Sequence, residues 1–169
     1  MLIGVLSDTH DNLPNVDKAV RIFNERNVEI VLHCGDFISP FVIKRLWKLR
    51  PKLIGVFGNN DGDKALLMRL AKERGFELYN QPYSFEIEGR KILMLHGWGG
   101  KEETIALISS LSKQGNYDVV VYGHTHEPFK EKLGGTLVLN PGETYGYLTG
   151  KASVALLDVS KLEVEFVEI

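Results

Sequence analysis

The sequence predicts a layered α/β domain. Short apolar runs typical of buried strands alternate with longer amphipathic runs typical of helices through roughly the first two thirds of the chain. The 169 residues, of which 44% are hydrophobic and 25% are charged, are enough for a domain with a sizeable core. No repeat, low-complexity stretch or Pro/Gly/Ser-rich linker divides the chain, so we expect residues 1–169 to form a single domain.

The first half of the chain predicts three strand–helix pairs. The first strand is an uninterrupted apolar run, as expected of a strand that is buried on both faces. The helix after it has Pro14 in its first turn, where proline is tolerated. Val20 and Phe23 belong to its apolar face. Gly75 is expected to end the third helix. The expected strands are 2–6, 29–32 and 52–57, and the expected helices are 13–26, 40–49 and 65–74.

The pattern changes after the third helix. Residues 83–87 alternate between apolar and polar, and a Glu-Gly turn joins them to the apolar run 91–95. We therefore expect a β-hairpin that has one solvent-exposed face and whose second strand lies in the core. The next helix is expected to bury Ile105, Ile108 and Leu111. That helix spans 102–113, and further strands are expected at 118–121, 129–133, 136–139, 152–157 and 162–167, which makes the last third mostly antiparallel.

Seven potential metal ligands follow the predicted strands, each where its strand stops. Ligands of open α/β sheets bind beyond the carboxyl ends of the strands, so these side chains are expected to meet in one crevice. Four of the five histidines belong to this set, which random placement of surface histidines would not produce. His124 and His126 are two positions apart, and an extended backbone would project both to the same side. The set consists of Asp8, His10, Asp36, Asn59, His96, His124 and His126.

Each piece of this set also has an ordinary structural explanation, because Asp-x-His can cap a helix and Gly-Asp can form a turn. Taken together, the seven residues favour a metal-binding site. Seven ligands are too many for one zinc ion and suit two ions that share a carboxylate. Carboxylate, amide and imidazole ligands suit manganese, iron, cobalt, nickel or zinc rather than calcium. Such two-metal sites clamp the attacking and leaving oxygens of a phosphoryl displacement.

The order of these motifs resembles that of the calcineurin-like metallophosphoesterases. The motifs are Asp8-x-His10, Gly35-Asp36, Gly58-Asn59-Asn60-Asp61, His96-Gly97 and Gly123-His124-x-His126, extended by Asn140-Pro141-Gly142. The small size and the last motif are similar to the compact single-domain phosphodiesterases of bacteria and archaea. The resemblance implies a four-layer α/β/β/α sandwich, in which helices flank two mixed β-sheets.

The resemblance also implies a cofactor and a reaction. One divalent transition-metal ion would bind Asp8, His10, Asp36 and His126, and a second would bind Asp36, Asn59, His96 and His124. Asp36 would bridge the two ions, with manganese favoured over nickel, iron, cobalt or zinc. A hydroxide between the ions would attack phosphorus in line. The chain is therefore expected to be a phosphodiesterase that acts on a small phosphate ester.

Two positions differ from many members of this family. A histidine that can protonate the leaving oxygen often follows the metal-binding asparagine, but here Asn60 can only donate a hydrogen bond. Asp61 is expected to orient a ligand, and it is a candidate catalytic residue together with Asn60. Trp98 replaces a frequent histidine, and either stacks on an aromatic ester group or covers the pocket. His33 and Cys34 are expected to be buried rather than to bind metal.

Two other functions are consistent with this fold. A protein-binding scaffold, as in the retromer subunit that resembles this branch, is expected to have lost metal ligands, and none of the seven is lost here. A nuclease is disfavoured by the net charge of −2 and the lack of a basic domain.

The single cysteine and the absence of a secretory signal favour a cytoplasmic protein, and no apolar run is long enough for a membrane span. The sequence leaves a homo-oligomer open.

Overall fold

A computed structural model of the protein describes all 169 residues. The chain forms eleven strands and four helices. In chain order these are β1 (Leu2–Leu6), α1 (Leu13–Glu25), β2 (Ile30–His33), α2 (Pro40–Leu46), β3 (Lys52–Val56), α3 (Lys64–Glu73), β4 (Glu77–Tyr79), β5 (Tyr83–Ile87), β6 (Arg90–Met94), α4 (Lys101–Lys113), β7 (Val119–Val121), β8 (Pro128–Leu133), β9 (Thr136–Pro141), β10 (Ser153–Asp158) and β11 (Glu163–Glu168). None of the four helices has the length and apolarity that a membrane span needs.

The strands form two mixed sheets. The first sheet has six strands in the order β11-β10-β1-β2-β3-β4. In it β1 to β4 are parallel, and β10 is antiparallel to both of its neighbours, β1 and β11. The second sheet has five strands in the order β5-β6-β7-β9-β8. In it β6, β7 and β9 are parallel, and the edge strands β5 and β8 are antiparallel to their neighbours.

Three apolar layers join the sheets and the helices. Phe23 and Leu67 lie in the layer between the first sheet and α1 to α3. Ile3 and Met94 lie in the layer between the two sheets. Ile108 packs in the third layer, between the second sheet and α4. This arrangement confirms the predicted α/β/β/α sandwich.

The strand β1 shows how the sequence specifies two of these layers at once. Ile3 and Val5 face the second sheet. Leu6 faces the helices, because successive side chains of a strand point to opposite faces. Gly4 lies on the helix side, where a Cβ would come within 2.7 Å of the Phe23 ring. A glycine therefore allows α1 to pack closely on the sheet.

The helix ends follow local capping chemistry. The Asn12 side chain accepts a hydrogen bond from the Asn15 N–H at 3.2 Å, which starts α1. Asp63 caps α3 in the same way. Gly75 has a φ of +75°, and the Phe76 N–H bonds back to the Ala71 carbonyl at 2.9 Å. This confirms Gly75 as the C-terminal stop of α3.

Three elements differ from the sequence-based expectations. The strand β4 was not predicted, because three residues are too few to show a period and its pairing with β3 is what defines it. The helix α2 ends at Leu46 rather than at residue 49, and the Lys48 and Leu49 N–H groups bond three residues back in a tighter turn. Ile105 is 47% exposed, since α4 buries Thr104, Ile108 and Ser112 instead.

Candidate metal centre

All seven predicted ligands lie in loops at the carboxyl ends of strands. They follow β1, β2, β3, β6 and β7, and the loops of the two sheets meet at one edge of the sandwich. The Asp8 N–H bonds to the Gly35 carbonyl at 3.0 Å, which ties the first loop to the second. The His124 N–H bonds to the Asp8 carboxylate at 3.0 Å, which ties the two sheets together at the site.

Close approach of these loops depends on two glycines. A Cβ on Gly58 would lie 2.1 Å from the Asp36 carboxylate, and one on Gly123 would lie 2.0 Å from the Ser7 hydroxyl. Neither position has room for any side chain. The Gly-Asn and Gly-His steps of the motifs are therefore steric requirements of the converging loops.

The ligand atoms form two groups that have Asp8 in common. Potential ligand atoms of Asp8, His10 and His126 lie within 4.8 Å of one another, and so do those of Asp8, Asp36 and His96. The Asp36 carboxylate also links the groups, because its Oδ2 lies 3.4 Å from Nε2 of His10 in the first group and of His96 in the second.

Asn59 and His124 complete the second group. The Asn59 Oδ1 lies 2.9 Å from Nε2 of His96, and Nδ1 of His124 lies 3.2 Å from the same nitrogen. The structure therefore brings all seven predicted residues together.

The expected geometry of the paired histidines was wrong. An extended backbone would have projected His124 and His126 together, but the strand ends at Val121 and both have positive φ, 67° and 63°. The left-handed backbone gives the two rings different neighbours. His124 faces His96, and His126 lies 3.4 Å from Asp8.

Three of the imidazoles turn one nitrogen inward because the other has an oxygen partner. Nδ1 of His96 faces the Cys34 carbonyl at 2.8 Å, and Nε2 of His124 faces the Gly99 carbonyl at 2.8 Å. Nδ1 of His126 faces the Glu143 carboxylate at 2.9 Å. A carbonyl or carboxylate oxygen can only accept, so the proton is on the outer nitrogen and the inner lone pair is free. This is the arrangement that orients histidine for metal binding.

The centre of the site has polar atoms without partners. Asp8 Oδ1 and His10 Nε2 are buried and make no hydrogen bond, at a separation of 3.7 Å. Burial alone would raise the pKa of Asp36, but the adjacent His96 ring and two hydrogen bonds from Asn60 hold that pKa below its usual range. Orphaned lone pairs beside ionised carboxylates fit divalent cations.

Asp61 holds the loop that carries Asp36. Its buried carboxylate accepts hydrogen bonds from the N–H groups of Asp36, Ile38 and Gly58, at 3.1, 2.8 and 2.7 Å.

The side chain of Asn60, unlike that of Asp61, is exposed, and it donates to the Asp36 carboxylate at 2.7 Å. Of the two candidate catalytic residues, Asn60 therefore lies on the open side of the site.

The remaining predictions concern residues near the site. Burial lowers the pKa of His33 to about 3, so its ring is neutral and stacks on Phe37 at 3.6 Å. Cys34 is fully buried, as expected of a core residue. Trp98 is 68% exposed, which does not fit a side chain that covers a pocket.

Sequence reasoning did not single out Glu143. It is fully buried, and its Oε2 bonds to His126 while its Oε1 accepts from both the N–H and the hydroxyl of Thr149, at 2.6 and 2.7 Å. A glutamate directly after Asn140-Pro141-Gly142 was the available signal. A charged residue in a polar loop gives no indication of burial, so only the folded chain shows its role.

Comparison with known families decides between the interpretations of this site. The model of the calcineurin-like phosphoesterase superfamily domain matches residues 1–162. The chain belongs to this superfamily. The predicted resemblance is thereby confirmed, and with it the enzyme class, a phosphoesterase that depends on metal ions.

The similarity to known relatives extends over nearly the whole chain. A phosphodiesterase of Methanocaldococcus jannaschii is 46% identical over 164 residues, which cover 96% of each protein. Phosphodiesterase YfcE of Escherichia coli is 28% identical, over 97% of this chain and 91% of its own length. A solved structure described as a novel archaeal phosphodiesterase superposes with a TM-score of 0.92 at 44% identity, with full coverage of both chains.

A more distant likeness concerns the fold alone. Vps29 of Entamoeba histolytica, solved in complex with zinc, superposes with a TM-score of 0.70 at 23% identity, over all of this chain and 98% of its own.

Proposed function

We propose that the chain is a dinuclear metal-dependent phosphodiesterase. The observation that carries this proposal is the position of the Asp36 carboxylate between the two ligand groups, 3.4 Å from His10 and from His96. A carboxylate shared in this way suits two ions better than one. The orphaned atoms of Asp8 and His10 support the same conclusion.

Asp36 lies close to ligands from both groups. In the proposed assignment Asp8, His10 and His126 would hold one ion, and Asn59, His96 and His124 would hold the other, with Asp36 common to both. Manganese is the metal we propose among the transition metals that suit oxygen and imidazole ligands without thiolate. When bound, such ions activate water as the nucleophile and neutralise charge on the phosphoryl oxygens.

The protein residues around the ions have separate tasks. Asp61 fixes the backbone that presents Asp36, and Glu143 fixes the ring of His126. Asn60 can donate a hydrogen bond to a substrate oxygen from the open side, but it has no proton to give to a leaving alkoxide. Asn60 therefore does not act as the general acid for the leaving oxygen.

A phosphodiester is the proposed substrate. Support comes from the Methanocaldococcus jannaschii relative at 46% identity, which is named a phosphodiesterase. A diester also has a single negative charge, which repels a nucleophile less than the dianion of a monoester does. A small ester, rather than a nucleic acid, fits the net charge of −2. The one cysteine is buried and free, which supports a cytoplasmic location.

The shared carboxylate gives the sharpest test. Asp36→Asn removes a charge from both ions, so it should abolish most bound metal and lower the hydrolysis of bis(4-nitrophenyl) phosphate by at least about 10³-fold. Metal content is measured by elemental analysis after loading with Mn²⁺. Asp17→Asn is the control, because Asp17 pairs with Arg45 and Lys48 on the surface. Full metal occupancy with normal turnover in Asp36→Asn would contradict the assignment.

A further inference from the structure

The segment Glu143–Thr149, which we call the tyrosine loop, leaves the metal centre directly after β9. Three successive N–H groups fasten its start to the ligand loops. The Glu143 N–H bonds to the His126 carbonyl at 3.1 Å, the Thr144 N–H to the Ser7 carbonyl at 2.9 Å and the Tyr145 N–H to the Asp8 carbonyl at 2.9 Å. The backbone of the tyrosine loop is therefore registered against the residues of the site.

Further hydrogen bonds close the tyrosine loop on itself. The Glu143 carboxylate accepts from the N–H and the hydroxyl of Thr149. The Tyr145 carbonyl accepts from the side chains of Asn12 and Asn15, at 2.7 and 3.2 Å. The bonded groups belong to residues 143–145 and 149, so the loop is anchored at both ends. The Tyr145 ring therefore has a defined position relative to the metal centre.

Aromatic rings continue from the metal centre along this loop. The rings of His126 and His10 are 5.3 Å apart, those of His10 and Tyr145 are 5.3 Å apart, and those of Tyr145 and Tyr147 are 5.6 Å apart. Exposure rises along the row. The His10 side chain is 19% exposed, Tyr145 is half-buried and Tyr147 is 77% exposed.

Packing does not account for the outer ring. An aromatic side chain in solvent gains little hydrophobic free energy from folding, because most of its area stays in water. Its flat face is nevertheless available to another planar ring, and aromatic pairs prefer centroid separations of about 4.5–7 Å. The row begins at the ligands His126 and His10, so a group attached to a phosphate at the metal centre lies close to Tyr145, the first tyrosine of the row.

We propose that Tyr145 and Tyr147 form a stacking wall for a planar aromatic group of the phosphate ester. The wall makes the site prefer an aromatic ester group over an aliphatic one of similar size. This inference rests on the proposed function, because the phosphate has to bind at the metal centre for its ester group to reach the wall.

Binding of two phosphonates tests the wall without hydrolysis. Phenylphosphonate and cyclohexylphosphonate have the same charge and similar size, but only the first is planar. Calorimetry on the Mn²⁺-loaded protein should give a dissociation constant about three- to tenfold lower for phenylphosphonate, the size expected of one aromatic contact. Tyr147→Ala should bring the ratio of the two constants close to one, and Tyr147→Phe should preserve it. Leu148→Ala is the matched control on the same loop, since Leu148 is 66% exposed and not aromatic.

The proposal of a stacking wall is overturned if the wild type shows no preference for phenylphosphonate over cyclohexylphosphonate, or if Tyr147→Ala keeps the full preference. It is also overturned if Leu148→Ala removes the preference as completely as Tyr147→Ala does. Hydrolysis of bis(4-nitrophenyl) phosphate by the same samples tests the proposed function separately, because phosphonates are not cleaved. A protein that shows the preference but cleaves no diester contradicts only the phosphodiesterase assignment, and one that cleaves the diester without the preference contradicts only the wall.

Discussion

At the scale of single residues, strain is concentrated in the candidate ligands. Five of the seven have a positive φ between 38° and 67°, a region that side chains other than glycine rarely adopt. The five are Asp8, His10, Asp36, His124 and His126. Each such residue costs on the order of 1–3 kcal/mol and persists only where its surroundings fix it. Asp36 is fixed by the Asp61 carboxylate on its N–H. The strained ligands therefore lower the free energy of unfolding, as expected of a functional centre.

The side chain of Asn60 leads to a prediction about leaving groups. General acid catalysis is typically worth about 10²–10⁴-fold, and Asn60 cannot supply it. The kcat/KM for a series of aryl phosphodiesters should therefore fall steeply as the pKa of the leaving phenol rises. Asn60→His should raise turnover selectively on the poorest leaving groups, and Asn60→Ala, which adds no acid, should keep the steep slope. A flat dependence in the wild type would show that another acid acts or that chemistry does not limit the rate.

At the scale of elements, the short connections do more for the site than the helices and strands themselves. The strand β9 ends at Pro141, and the side chain of Asn140, the residue before it, donates to the Gly123 carbonyl at 2.9 Å and to the Thr125 hydroxyl at 3.0 Å. The tyrosine loop then adds the Glu143 contact to His126. One connection therefore holds the histidine loop from two sides.

The contact between Glu143 and His126 predicts a metal-binding defect on substitution. Glu143→Gln keeps the size of the side chain but cannot accept from both His126 and Thr149. Loss of such a supporting carboxylate typically weakens metal affinity by about 10–100-fold. Titration of the metal-free protein with Mn²⁺ by calorimetry measures this. Thr149→Val removes only the hydroxyl and keeps the backbone N–H, so it should bind Mn²⁺ as the wild type does. A wild-type affinity in Glu143→Gln would rule out the supporting role.

At the scale of the whole molecule, the metal centre joins the two sheets. Asp8 and Asp36 follow strands of the first sheet, whereas His96 and His124 follow strands of the second. Between the sheets the contact is apolar, through residues such as Ile3 and Met94. Ions bound at the edge would therefore add a polar cross-link that exists only in the folded chain.

This cross-link predicts that metal raises thermal stability. A ligand present at 100 times its dissociation constant stabilises the folded state by about 2.7 kcal/mol. For a chain of this size that corresponds to a rise in Tm of about 5–10 °C. Scanning calorimetry with excess Mn²⁺ and with chelator measures the difference. Asp36→Asn should lose most of the rise, while Asp17→Asn should retain it. Equal Tm values with metal and with chelator in the wild type would contradict a site that spans the sheets.

Much of the fold could be predicted from the sequence, because its signals are local. Buried strands such as β1 are uninterrupted apolar runs, and Gly75 ends α3 through its own backbone freedom. The elements that were missed or misplaced lack such a signal. The strand β4 is defined by its partner strand, and the inward face of α4 carries Thr104 and Ser112, whose hydroxyls bond within the fold.

The sequence by itself determined the α/β class, the identity of the candidate ligands and their place at the strand ends, since strand polarity sends every such loop to one edge. Only the tertiary structure decided how the ligands converge. The left-handed backbone at His124 and His126, the burial of Glu143 and the row of rings that ends at Tyr147 all depend on segments far apart in the chain. Periodicity and motif spacing describe neighbours along the chain, whereas these features arise from contacts such as that of His124 with Asp8, 116 positions away.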